Sequence, residues 1–161
     1  MIPRAMMVQL NVLSLMQLGL ALAGAGVAGY LAWNKVSGDR LICVGFQGCD
    51  IVNNSPYAEL LGVPVAVWGL GAYLALAMLA LPFWGSYPPL QAWAIAFSFA
   101  IALGGWIFSM YLTFIEAFIL HAWCSWCVAS AILITSLMAV SGIRFYQTFL
   151  VAWACSSEAV D

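Results

Sequence analysis

VQLNVLSLMQLGLALAGAGVAGYLAWN, residues 8–34, runs for 27 positions without one charged side chain. As an α-helix it would extend about 40 Å at ~1.5 Å per residue, longer than the ~30 Å hydrocarbon core of a bilayer. It reads as a transmembrane helix with length to spare for tilt or for projecting past the lipid. Ala21, Ala25 and Gly29 recur at every fourth position and predict a flat stripe against which a second helix packs closely. Arg4 before the run and Gly26-Val27-Ala28 inside it also fit a cleaved signal peptide. Against that reading, the run exceeds a usual signal, and cleavage would leave three helices to close the bundle.

Outward from this stretch, three more apolar runs follow: Gly62 to Trp84, Leu90 to about Ile119, and Cys124 to Ile143. The whole chain agrees, with 66% apolar and 6% charged residues over 161 positions and a mean hydropathy of +1.05. A soluble domain carries ~25% charge, and a disordered chain is poor in aromatics, so both classes are excluded. Four basic residues against six acidic ones, with no basic run, leave no footprint for nucleic acid. The expectation is an all-α integral membrane protein in contact with lipid, a single membrane domain over 1–161. Its helices fall near 8–34, 62–84, 90–119 and 124–143, with a loop at 35–61 and a short tail at 144–161. Tyr87-Pro88-Pro89 predicts a tight turn between the second and third spans, and Phe145 to Ala154 is apolar but too short to span.

The loop holds Lys35, Asp39, Arg40, Asp50, Asn53, Asn54 and Glu59, and four of the chain's ten charged residues fall between positions 35 and 50. Ser55 is placed to cap a short helix that opens at Pro56 and ends at Gly62. With Tyr57, Leu60 and Leu61 turned inward, that helix would lie across the mouth of the bundle. Charge does not orient the bundle, because Arg4 and Arg144 flank one side and Lys35 and Arg40 the other. Four spans put both termini on one side, and the loop and Cys124 on the other.

The five cysteines are Cys43 and Cys49 in the loop, Cys124 and Cys127 at the start of the last span, and Cys155, expected to be a free thiol on the opposite side. Cys124-Ser125-Trp126-Cys127 has the spacing of a redox dithiol, with both sulfurs on one helix face. It opens a helix, where unpaired N–H groups favour a thiolate. Cys43 and Cys49 are separated by a segment containing Gly45 and Gly48, flexible enough to close a disulfide or swing toward another one. Two dithiols on one face suggest exchange; a four-thiolate zinc site or structural disulfides are the other chemistries of such a cluster. The first pair lacks the close spacing of a zinc knuckle, and a bridge at membrane level adds little to a constrained bundle. If the pairs are redox-active, their side is the oxidising, extracytoplasmic one and both termini are cytoplasmic.

Cys43-Val44-Gly45-Phe46-Gln47-Gly48-Cys49, Val52-Asn53-Asn54-Ser55, Leu61-Gly62-Val63-Pro64, Trp68-Gly69 and Cys124-Ser125-Trp126-Cys127 together resemble a bacterial member of the vitamin K epoxide reductase family. The DsbB family, which also couples disulfides to quinones, places its C-x-x-C in the first loop and the wider pair later, the reverse of the order here. The resemblance implies a four-helix bundle around a quinone of ubiquinone or menaquinone type. It implies that Cys43 meets the thiols of a partner, that Cys49 exchanges with Cys124, and that Cys127 faces the quinone. Ser55 falls at the family's loop serine, which supports the mouth of the site. Animal members carry a tyrosine four residues after the inner cysteine and an asparagine at the start of the second span; Ala131 and Val65 stand at those places. The resulting pocket is apolar, suited to a quinone ring and lacking the handles of epoxide chemistry. Many bacterial relatives continue into a fifth span and a fused thioredoxin-like domain, so the resemblance implies a separate DsbA-like thioredoxin-fold partner.

Glu116, near the outer end of the third span, is either a side chain reaching the headgroups or a proton donor to the quinone. His121 is either interfacial or a partner of the Cys124 thiolate. Of eight tryptophans, Trp33, Trp84, Trp123 and Trp126 fall near span ends as an interfacial belt, while Trp68 and Trp106 lie deeper, one of them a candidate to line the pocket.

Overall fold

The computed structural model describes residues 4–38, 41–43, 45, 48–82 and 88–157. Asp39, Arg40, Val44, Phe46, Gln47, Trp84 and Tyr87 lie outside them, as do the side chains of Arg4 and Cys155. Among the described residues five α-helices carry the fold: α1 (Arg4–Ser37), α2 (Cys49–Asn53), α3 (Val65–Leu79), α4 (Pro88–Ile115) and α5 (Ser125–Ser157). Among the described residues, Leu10–Ser37, Pro89–Leu120 and Ser125–Phe149 are long and apolar enough to cross a membrane, while the apolar α3 is shorter. The four larger helices close a ring in which α1 packs on α3 and α5, and α4 completes it by packing on α5 and α3. The architecture is a membrane helical bundle.

Elements differ from the sequence expectation where local chemistry intervenes. Pro88 and Pro89 are not a turn between helices but the first residues of α4, positions where a missing N–H costs nothing. The last helix does not stop at Ile143 with a tail after it; α5 runs through the apolar Phe145 to Ala154 stretch to Ser157. The second helix is not 62–84 but Val65–Leu79, because a hairpin takes its first residues. Glu59–Leu60 (β1) pairs antiparallel with Val63–Pro64 (β2), and both turn residues have positive φ, Leu61 at 57° and Gly62 at 76°. Two left-handed residues in a two-residue loop match the twist of the flanking strands. Leu61 therefore points away, 89% exposed, rather than inward.

Small residues do bring α1 close to its neighbour, though along a different stripe from the one expected. Gln17, Ala21, Gly24, Ala28 and Leu31 form the buried line, with Ala25 and Gly29 half-buried at its edge. At Gly24 an added Cβ would lie 2.2 Å from the Tyr73 ring, so only glycine admits α3 there. The main core joins Ala21 and Ala28 to Tyr73, Leu76, Ala102, Ile134 and Leu137.

Arg144 does not flank the membrane. It is 4% exposed, and its Nη1 donates to Gln17 Oε1; Gln17 Nε2 donates in turn to Ser98 Oγ at 2.6 Å and to the Leu76 carbonyl at 3.2 Å. One glutamine thus links all four packed helices.

Candidate functional site

The polar loop is drawn down onto the bundle by a few specific bonds. Asp50 Oδ1 accepts the Leu41 N–H at 3.1 Å, and the Tyr30 hydroxyl accepts the Ile42 N–H at 3.3 Å. The Trp126 indole donates to the Ile42 carbonyl at 2.9 Å, and its ring lies 4.9 Å from that of Tyr30. Lys35 donates to the Asn53 carbonyl at 2.9 Å and pairs with Glu59 at 3.3 Å. The loop is therefore anchored from α1 and α5 together.

Within it, Cys43 and Cys49 form a disulfide with Cα atoms 6.0 Å apart, while Cys124 and Cys127 are free. Cys49 opens α2, which was not expected from the sequence, and Cys124 immediately precedes α5. Both are fully buried and share one apolar cluster with Leu31 and Leu41, against which Cys43, Cys127, Val52 and Trp126 pack. Gly48 makes this approach possible, since a Cβ there would sit 2.8 Å from both the N and O of Trp123. All four sequence-predicted cysteines are thus in one place. Among the described residues no group of three or more His, Cys, Asp or Glu side chains is arranged as metal ligands.

The last turn of the third span is irregular. α4 gives way to a π-helical turn, Glu116–Leu120, which ends at His121 in the left-handed region with φ 48°. The widened turn leaves the Glu116 carbonyl accepting the N–H groups of His121 and, at 3.2 Å, of Ala122. Glu116 does not reach for the headgroups: it is 3% exposed, and its Oε2 accepts the Cys124 N–H at 3.3 Å. The Cys127 thiol hydrogen-bonds to the same carboxylate. His121, by contrast, is exposed. Nothing in the residue pattern signals a π turn, so the inward aim of Glu116 was the part of the site the sequence left undecided.

Cys124 lies in the gap between the two long apolar segments that end at Leu120 and begin at Ser125. It takes the position of a helix cap: its carbonyl accepts the Val128 N–H at 3.0 Å and its sulfur the Cys127 N–H at 3.3 Å. The side-chain hydrogen bond with Cys127 holds the Cys124 thiol below the usual cysteine range, outweighing burial and the nearby Glu116 charge, which act the other way.

Below the sulfurs a cavity of about 380 Å³ opens between α1, α3, α4 and α5. Cys127, Val65 and Trp68, three of the residues assigned from the sequence to a quinone pocket, line it, as do Ser55, Tyr57 and Leu60 from the loop. Ala131 and Trp106 do not: Ala131 is buried, and Trp106 packs against the main core. Ser55 is buried and donates to the Val52 carbonyl at 2.8 Å, closing the end of α2 instead of capping the 3-10 turn Pro56–Ala58 that follows it. The lining includes Glu116, one of whose two sequence alternatives was proton donation there, and two polar residues not anticipated, Tyr73 and Ser130, with the Tyr73 hydroxyl 2.9 Å from Ser130 Oγ. A dithiol and a disulfide thus pack in one cluster beside a largely apolar cavity, close enough in the fold for thiol–disulfide chemistry to be the natural use of the four sulfurs.

Comparison with protein families agrees with this geometry. The sequence profile of the vitamin K epoxide reductase family matches residues 15–142, a range that takes in both cysteine pairs, α3 and α4 whole, and the larger part of α1 and α5. Most of its length being matched, the chain belongs to the vitamin K epoxide reductase family.

Proposed function

We propose that the protein is a quinone-dependent thiol oxidase of the cell membrane, which regenerates a thioredoxin-fold, DsbA-like partner outside the cytoplasm and so supports disulfide bond formation. In this reading α3 also crosses the membrane and brings the spans to four, the loop and all four clustered cysteines face the oxidising side, and both termini are cytoplasmic. The single observation that carries it is the packing of the oxidised Cys43–Cys49 pair and the reduced Cys124/Cys127 pair into one cluster beside the cavity.

The chain's residues do the following. A partner thiolate attacks the loop disulfide at Cys43, and resolution of the mixed disulfide leaves the partner oxidised and Cys43 and Cys49 as thiols. Cys49 then attacks Cys124 of a closed Cys124–Cys127 disulfide, and attack by Cys43 on Cys49 re-forms the loop bridge and leaves the α5 pair reduced. The state described above, loop oxidised and α5 pair reduced, is the one in which two electrons wait beside the cavity. A quinone bound there supplies a two-electron, two-proton acceptor. The cavity fits it: its volume lies within the ~300–1,000 Å³ of small-molecule sites, and apolar walls with few polar groups suit a ring and an isoprenoid tail. Direction follows from potential. A DsbA-like oxidant sits near ~−120 mV and ~30 mV is worth ~1.4 kcal/mol in a two-electron couple, so the acceptor must lie at about that potential or above.

The test follows quinone absorbance while purified protein is mixed with a reduced thioredoxin-fold partner. Wild type is expected to reduce the quinone and Cys127→Ala to lose that activity. A wild-type protein inert toward both ubiquinone and menaquinone analogues would return the cysteines to a structural or metal-binding role.

A further inference from the structure

The proposed reaction leaves one buried group without a task. Glu116 is an acid sealed in the site, and such a group in a membrane protein is costly unless used. It belongs to the cavity lining together with Cys127, and a π turn, a feature frequent at functional sites, turns it there. The Cys127 thiol has two acceptors within reach, the sulfur of Cys124 and the carboxylate of Glu116. Electron transfer from a dithiol to a quinone must also deliver two protons, and the cavity walls are otherwise mostly hydrocarbon.

We propose that Glu116 is the proton carrier of the Cys124/Cys127 couple, taking the Cys127 proton as the α5 disulfide closes and passing it to the acceptor oxygen. This rests on the function proposed above and adds its proton path. The step balances. The Cys124 thiolate, the Cys127 thiol, the quinone and one proton from water give the Cys124–Cys127 disulfide and the quinol. One S–H bond breaks, one S–S bond forms, the two sulfurs lose the electron pair, and both quinone oxygens gain a proton. The first proton comes from Cys127 by way of Glu116; the second reloads Glu116 from the aqueous mouth and follows the same route.

The groups around Glu116 support the assignment. From α5 it faces Cys124 and Cys127. The α2 helix that packs against its turn brings Cys49 and Asp50, and the Asp50 carboxylate already accepts the Leu41 N–H. From the rest of the cavity come only the phenols of Tyr57 and Tyr73, the latter bonded to Ser130. His121 ends the π turn with its side chain exposed. Among the described residues, then, Glu116 is the cavity's one carboxylic acid in contact with the thiols.

A purely structural Glu116 would only accept hydrogen bonds from the Cys124 N–H and the Cys127 thiol, which the two lone pairs of a glutamine oxygen can also accept, so Glu116→Gln separates the two roles. The first readout needs no quinone: infrared difference spectra of the protein before and after the α5 pair is oxidised. The carboxyl band is expected to change on oxidation in wild type and to be silent in Glu116→Gln. The second is quinone reduction, expected to fall about 10²–10⁴-fold in Glu116→Gln, the usual weight of a positioned proton-transfer group. Partner-to-loop disulfide exchange should be unchanged, and Glu116→Asp should restore part of the rate with a shifted pH profile. A wild-type rate and pH profile in Glu116→Gln, or no carboxyl change in wild type, would overturn the assignment. Failure of wild type to reduce any quinone would instead overturn the function proposed above, while the infrared measurement still reports on Glu116. Should Glu116→Gln not fold, the wild-type infrared change and the rate of Glu116→Asp decide alone.

Discussion

Gln17 is fully buried yet uses both ends of its amide, accepting a hydrogen bond from Arg144 and donating to Ser98 and Leu76. Replacing it with leucine strands a guanidinium in hydrocarbon, and an unpaired buried group costs about 1–3 kcal/mol, more when charged. We expect Gln17→Leu to lower the melting temperature in detergent, and Gln17→Leu with Arg144→Met to recover much of the loss, because removing both partners leaves no buried charge unpaired. At the other end of the bundle, Cys124 is expected to remain a thiolate below the ~8.5 at which a free cysteine titrates. Ultraviolet thiolate absorbance followed with pH should show this early transition in wild type and lose it in Cys124→Ser. Of these residues the cysteines were legible from spacing alone. Gln17 and Arg144 were not, since a single polar residue in an apolar run says nothing about which helix it will meet.

At the scale of elements, the long helices were plain because twenty or more uncharged residues admit little else. The irregular pieces were not. A hairpin closed by Leu61-Gly62 lacks the Asn-Gly or Asp-Gly signal of such turns, and a π turn carries no residue signature. α2 escaped notice for a different reason, since five residues are too few to show a period. Its docking depends on Gly48, whose substitution by alanine would press a methyl group against the Trp123 backbone. Gly48→Ala is expected to keep the bundle folded and to separate the loop disulfide from the α5 pair. Stopped-flow measurement should show oxidation of the partner by the loop at a near-normal rate, and onward transfer slowed tenfold or more.

The whole molecule is apolar outside as well as in. Trp33, Trp93, Phe97, Phe118 and Ile132 are all more than half exposed, a surface compatible with lipid and not with water. With Arg144 buried, the basic residues no longer divide two against two between the ends, and the orientation proposed above rests on the cysteines and is tested by labelling. Single cysteines at Ser37 and Leu81, in a background without the native ones, bracket the loop and α3. A membrane-impermeant maleimide applied to intact cells is expected to label Ser37→Cys at once and Leu81→Cys only after permeabilisation. Labelling of both from outside would mean that α3 does not cross. The widened turn at Glu116–Leu120 also bears on how this chain is matched to others. A π turn holds one residue more than the α-helical turn it replaces. Where a homologue keeps a regular helix at this point, the correct alignment needs a single-residue gap inside the turn, and without it a conservation score would be read one column away from the acid.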